Sequence, residues 1–269
     1  MADRLKGKVA VVTGAGRSDD EVEGTGSAAA IAFCREGARV LLVDLSPDNA
    51  EKTRRQIASE GGVASVFRAD VTKEAECEAA VEAALARFGR LDILINNVGI
   101  TGSGTVVDFD SSRWDQVLEV NLKSMAMMAK FAVPRMAGGG GGSIVNISSI
   151  DGLSTGSSRN IPYAAAKGGV VALTRNMAGH HGRQNIRTNC IAPGHIFGAL
   201  VKGKMSAATR RLRRQAAPLG VEGTAWDVAM AALFLASDEA RWISGVILPV
   251  DAGLLATTPL AMYPYLISE

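Results

Sequence analysis

Cysteine, aromatic side chains, net charge and long apolar runs are all scarce in this chain of 269 residues, and each shortage removes a class of protein. The three cysteines, Cys34, Cys77 and Cys190, are odd in number and form no CxxC pair. That spacing argues against a disulfide scaffold or a zinc ribbon and suits small thiols kept reduced. Aromatics make up 5% of the residues, with no basic stripe among them, so base stacking on single strands has no platform. A formal net charge of +2 offers no global attraction to nucleic acid or an anionic membrane. The first apolar run ends at Thr13-Gly14, too short for a signal segment or a membrane span, so a cytoplasmic protein is expected. His180-His181 lacks a partner cluster and reads as a helix end; no metal site is expected.

What is present is an ordinary globular composition, 47% hydrophobic and 21% charged, with a regular rhythm. Short β-branched runs at 9–13, 39–44, 63–68, 91–96, 143–148, 186–191 and 246–250 read as strands. Most are continuously apolar, as expected where helices cover both faces of a parallel sheet. Helical periods fall between them at 27–36, 47–59, 73–88, 111–136, 163–180 and 224–236. Ser46 before Pro47 suits a helix start, and Gly37 and Gly89 suit helix ends. The alternation predicts one α/β domain over 1–269, a doubly wound, seven-stranded parallel sheet with helices on both faces. The glycine run 138–142 is expected to be a flexible surface loop. Only 198–218 breaks the rhythm, with a helical stretch in place of a strand.

The first strand runs into Thr13-Gly14-Ala15-Gly16, and Gly24-Thr25-Gly26 then opens the first helix. Glycine there lets backbone approach a diphosphate, while the helix N-terminus supplies N–H donors and a favourable dipole. Between the clusters, residues 17–23 carry Asp19, Asp20, Glu21 and Glu23. Four acids beside a phosphate site would be repulsive, so this stretch is expected to loop outward into solvent. The second strand ends in Asp44, whose carboxylate would accept the ribose hydroxyls of NAD and repel the 2′-phosphate of NADP. Arg17 is the competing feature, a cation able to attract that phosphate.

Tyr163 and Lys167 stand at i and i+4, so on a helix they share a face. A positive charge about 4 Å from the phenol contributes roughly 4 kcal/mol at an effective dielectric near 20. That would lower the phenol pKa by up to about three units and allow proton exchange near neutral pH. Asn96-Asn97-Val98-Gly99 ends the fourth strand, Asn121 falls within the long helix, and Ser148-Ser149 ends the fifth strand. These positions lie at or near carboxyl ends of parallel strands, where such sheets place their ligands.

With those residues in order, the sequence resembles the short-chain dehydrogenase/reductase family in its compact Rossmann form. The matching positions are Thr13, Gly14, Gly24, Gly26, Asp70, Val71, Asn97, Asn121, Ser149, Tyr163, Lys167, Pro193 and Gly194. The resemblance implies Tyr163 as general acid/base, with Lys167 lowering its pKa and binding the nicotinamide ribose. It implies Ser149 on the substrate oxygen and Asn121 holding a helix irregularity and a proton relay. Asp70 and Val71 would lie against adenine, Asn97 and Gly99 along adenosine and ribose, and the Ile196 backbone on the nicotinamide amide. Ser149 is preferred to Ser148 because of the following Gly152. The chain departs from the pattern in the extra residues of the glycine turn and in Gly198, where the family often has threonine.

In this family 198–218 forms a substrate lid, and 254–269 is a C-terminal tail. The lid holds Lys202, Lys204, Arg210, Arg211, Arg213 and Arg214. They are read here as a solvated helix face in preference to a receptor for an anionic substrate. Asp151, Asn160, His195 and Phe197 are candidate substrate contacts, and Met125, Met127 and Met128 are read as packing residues. The leading expectation is an NAD-dependent dehydrogenase of a cyclic alcohol, diol or polyol, acting in reverse as a ketone reductase. An NADP-dependent 3-oxoacyl reductase and a non-catalytic cofactor-binding protein are the alternatives. The family also implies a homotetramer.

Overall fold

The computed structural model describes residues 3–19, 21–156, 158–203 and 205–267; Asp20 of the acidic stretch and Lys204 of the basic one lie outside them. Seven strands form one sheet: β1 (Val9–Thr13), β2 (Arg39–Asp44), β3 (Val63–Arg68), β4 (Ile93–Asn96), β5 (Gly142–Ile147), β6 (Ile186–Pro193) and β7 (Ile247–Val250). Every pairing is parallel, in the order β3-β2-β1-β4-β5-β6-β7. The strands predicted from sequence agree to within two residues at each end.

Successive side chains of a strand point to opposite faces, and the two cores follow that alternation. Ala10, Val12, Val40 and Leu42 enter one core with Phe33 and Leu233. Those last two come from helices α1 (Thr25–Arg35) and α8 (Ala225–Ala236). Val11, Leu41 and Val43 enter the other with Val81, Met128, Met136 and Met177. Helices α3 (Glu74–Phe88), α5 (Ser124–Gly138) and α6 (Ile161–His181) cover that face. Each large side chain so buried contributes about 1.5–3 kcal/mol of transfer free energy. Met125, Met127 and Met128 are core residues. All three cysteines are free and buried.

Local signals set the ends of several helices. Helix α2 (Pro47–Ser59) starts with the Ser46 hydroxyl accepting from Asn49 N and with proline in the first turn. Gly89 ends α3 in the left-handed conformation, at φ +82°.

Three features go beyond the local sequence signals, the first being the helix irregularity at Asn121 that the resemblance implied. The stretch 111–136 is not one regular helix but α4 (Ser111–Leu118), a π-turn over Glu119–Lys123, and α5. The wider turn surrounds Asn121, which is fully buried and bonds through its amide to both N and O of Ile100. The glycine run is not a loose loop. Asn185 accepts from Gly142 N at 3.0 Å and donates to Gly140 O at 2.8 Å. A Cβ on Gly141, whose φ is +123°, would lie 2.3 Å from Asn185 O. Finally, part of the C-terminal tail forms α9 (Pro259–Leu266), packed on the lid helix α7 (Ala207–Gln215). No helix among the described residues is long and apolar enough to cross a membrane.

Candidate active site

The strand order reverses beside β1, with β2 on one side and β4 on the other. Chains leaving the carboxyl ends there diverge and leave a crevice. A cavity of about 790 Å³ opens at that point, bounded by the ends of β1, β2, β4, β5 and β6, the start of α6 and the lid.

At one end lies the glycine turn. Gly14 has φ +63°, and a Cβ on Gly26 would stand 2.1 Å from Gly14 O and 2.6 Å from Asn97 Nδ2, so the turn closes only around glycine. Asn97 donates through Nδ2 to the carbonyls of Thr13 and Gly14, which fastens the end of β4 to the turn. Gly24 precedes α1 without a side-chain cap, and Gly24, Thr25 and Gly26 face the cavity with their backbone. Asp44 faces it too, accepting from Gly16 N at 2.8 Å and Ser46 N at 2.9 Å. A side-chain-free cradle, an uncapped helix start and a carboxylate beyond it fit a dinucleotide diphosphate and its ribose. Ser18 and Asn49 also line this end and carried no sequence signal, because their approach depends on how the turn folds against α2.

The acidic stretch does not extend freely into solvent. Lys202 Nζ lies 2.8 Å from Asp19 and 2.9 Å from Glu21, tying the turn to the lid. Glu23 bonds to the Ser27 hydroxyl and lies 3.7 Å from Arg17. Arg17 also donates to Gln56 Oε1 at 3.0 Å and does not line the cavity. The described acids Asp19, Glu21 and Glu23, expected to loop outward away from a phosphate, are instead interleaved with cations. Asp70 and Val71 stand outside the cavity wall. The Asp70 carboxylate is held by the backbone and hydroxyl of Thr72, and Val71 is buried in the core.

At the other end, Ser149, Tyr163 and Lys167 share the cavity wall, with Pro193, Gly194 and Ile196 opposite the glycine turn. The Ser149 hydroxyl accepts from Asp151 N at 3.1 Å, and its presence beside Tyr163 favours the ionised phenol. Ser148 also lines the cavity, but its hydroxyl donates to Lys167 O at 2.7 Å. Lys167 is 2% exposed, and its ammonium donates to Ile147 O at 2.8 Å. A Cβ on Gly99 would meet both Lys167 Nζ and Asn121 Oδ1 at 3.5 Å, so Gly99 leaves room between them. Asn121 itself stays behind the wall.

The expected downward shift of the phenol is reversed in this structure. Lys167 Nζ is 5.6 Å from the Tyr163 ring centre and turned to a carbonyl. Burial therefore dominates and pushes the phenol up to about 12, against the opposing influence of the Ser149 hydroxyl. Burial likewise pulls the Lys167 ammonium down to about 8.

Of the substrate candidates, Asp151, Asn160 and His195 line the cavity, with the Asn160 carboxamide oxygen already accepting from Gly102 N. Phe197 does not; the Arg210 guanidinium covers its ring at 3.7 Å. The basic lid residues divide. Arg210 pairs with Glu222 through Nε at 2.6 Å, Lys202 holds the acidic turn, and Arg211 and Arg214 are exposed. Arg213 alone among the described lid cations turns into the cavity. The sequence marked it only as one of six, since the facing of a helix residue needs the lid's docking.

A family model described as enoyl-(acyl carrier protein) reductase matches residues 21–255. The chain is 38% identical over 261 residues to 2-(S)-hydroxypropyl-CoM dehydrogenase 3 of Xanthobacter autotrophicus, covering 95% of this chain and all of the relative. It is 35% identical to a 3-oxoacyl-(acyl-carrier-protein) reductase of Thermotoga maritima, over 94% of this chain and 99% of that protein. A crystallised Burkholderia xenovorans protein described as a short-chain dehydrogenase/reductase superposes with a TM-score of 0.91 at 39% identity, covering 95% and 99% of the two chains.

Proposed function

This chain belongs to the short-chain dehydrogenase/reductase family of oxidoreductases, and on that premise we propose that it interconverts a secondary alcohol and its ketone with NAD. Ser149, Tyr163 and Lys167 stand on one wall of the cavity whose other end holds the glycine cradle and Asp44, and that arrangement carries the reading. Cyclic alcohols, diols and polyols are the substrate classes in view.

The bound nicotinamide supplies the hydride acceptor or donor. The chain's residues bind, orient and handle the proton. Ser149 steadies the substrate oxygen, and Tyr163 exchanges the proton at that oxygen. With burial holding the phenol protonated at neutral pH, Tyr163 stands ready to donate to a ketone. Lys167 supplies positive charge beneath the ring and binds the nicotinamide ribose, and Asn121 positions the Gly99-Ile100 backbone beside it. Pro193, Gly194 and Ile196 line the same cavity, and the family resemblance supports the Ile196 backbone as the partner of the nicotinamide amide.

NAD is favoured over NADP because Asp44 faces the cavity, whereas Arg17 is engaged with Gln56 and Glu23. The runner-up is an NADP-dependent 3-oxoacyl reductase, supported by the Thermotoga relative. The reading includes a cytoplasmic homotetramer, whose stoichiometry sedimentation velocity would give.

The test is NADH formation from NAD⁺ and a panel of secondary alcohols, with NADP⁺ in parallel. Tyr163→Phe should lose turnover by roughly 10²–10⁴-fold while retaining NADH binding. Near-normal turnover in that variant overturns the mechanism, and a marked preference for NADPH selects the runner-up.

A further inference from the structure

Among the described residues, Arg213 is the one cation in this cavity that neither the fold nor the proposed chemistry uses. It projects from α7 between Met205 and His195, half-buried, and its only side-chain contact among the described residues is Nη1 to Met205 Sδ at 3.3 Å. Its Nε is buried with no hydrogen-bond partner, and no described carboxylate lies within ion-pair distance. Glu222, just beyond the lid, is already taken by Arg210.

A buried guanidinium N–H without an acceptor is unfavourable, and it persists where a partner arrives later. Other groups at this end do not supply that partner. Asp151 faces the same space, and its charge and that of Arg213 act on each other, but the two form no ion pair at contact distance, and burial raises the Asp151 carboxyl. His195 carries a buried Nδ1 without a partner. Burial and the nearby Arg213 hold its imidazole below the usual range, so at neutral pH it adds a polar edge and no second cation. The lid side of the cavity thus presents one planar fork of donors beside a neutral ring, in the same cavity as Ser149 and Tyr163. Such a fork matches two oxygens of one oxyanion.

We infer that Arg213 is the receptor for an oxyanion on the substrate, so that the alcohol oxidised here is a hydroxy acid anion with its carboxylate directed at the lid. This rests on the dehydrogenase reading of the same cavity and adds to it the group that recognises a second part of the substrate. Arg213 would then be a specificity-determining residue, and it takes no part in the proton or hydride steps.

The experiment compares hydroxycyclohexanecarboxylates with their methyl esters as substrates, in the wild type, Arg213→Gln, Arg213→Lys and the exposed-site control Arg211→Gln. In parallel, calorimetry measures binding of cyclohexanecarboxylate, which has no hydroxyl, to the NADH-loaded enzyme. The wild type should prefer acid to ester in kcat/KM. Arg213→Gln should lower that preference and the cyclohexanecarboxylate affinity by about 10²-fold, the scale for removing one partner of a buried charged contact. Arg213→Lys should recover part of both, and Arg211→Gln neither gain nor lose. Equal losses on acid and ester in Arg213→Gln, or unaltered carboxylate affinity, overturn the inference. Carboxylate binding that depends on Arg213 without turnover of any alcohol leaves the receptor standing and refutes the dehydrogenase reading instead.

Discussion

Replacing Lys167 by methionine separates what this buried ammonium does for function from what it costs the fold. The side chain is 2% exposed, and burial lowers its pKa from 10.5 to about 8. The folded state therefore disfavours the charged form by about 3 kcal/mol, at 1.36 kcal/mol per unit. The sign follows from the depressed value. The penalty is fully in force below the folded pKa, near 8, and is relieved as the pH climbs toward 10.5. Methionine fills similar space without charge, but it leaves Ile147 O without its 2.8 Å donor, at a cost of about 1–3 kcal/mol. Near neutrality these contributions largely offset, so the variant should fold with stability equal to or slightly above the wild type while losing turnover.

The sharper observable is pH dependence. Integrating proton binding over the two pKa values, the wild type should gain about 1 kcal/mol on the variant between pH 7 and pH 9. Taking the difference between the two proteins removes the opposing titrations of Cys34 and Cys77, which burial raises in both. Urea midpoints at fixed protein concentration, converted with a common m-value, measure this gap. A gap that stays constant across that range would show that the ammonium is solvated in the folded state, and the desolvation reasoning would fail.

Two further outcomes follow from the geometry of the turn and the lid. Gly26→Ala places a methyl 2.1 Å from Gly14 O, whereas at Gly24 the nearest atom would be 3.5 Å away. The first should cost about 1–3 kcal/mol or more in overpacking and at least tenfold in NADH affinity, and Gly24→Ala little of either; equal titration curves for both variants refute the cradle. Lys202→Ala severs the contacts to Asp19 and Glu21 and should speed NADH release several-fold in stopped flow at low salt. That difference should vanish in 1 M salt, where the Debye length is about 3 Å; a rate unchanged at low salt removes the latch.

Much of the architecture was legible because its signals are local. Apolar β-branched runs, the Ser46-Pro47 helix start and Gly89 mark elements through steric and hydrogen-bonding preferences that act within a few residues. The glycine positions were legible for the same reason, since only a missing side chain allows the approach of Gly26 to Gly14. The break in the helix at Glu119–Lys123 left no trace in the apolar period and came only through the resemblance, as a role for Asn121. Its physical cause is a hydrogen-bonded pairing with Ile100, across 21 residues of chain.

By itself, the sequence determined the seven strands, their parallel burial and the order in which Gly14, Asp44, Asn121, Ser149, Tyr163 and Lys167 reach one edge of the sheet. Tertiary structure decided where each charge ended. Lys202 reaches Asp19 across 183 residues, Arg210 covers Phe197, Arg17 withdraws to Gln56, and Arg213 turns inward. It also reversed the direction of the Tyr163 shift, because the phenol is more deeply desolvated than helical spacing alone conveys. Periodicity and turn chemistry act through the covalent chain, whereas charge pairing and desolvation depend on distances and burial that exist only once the chain has folded.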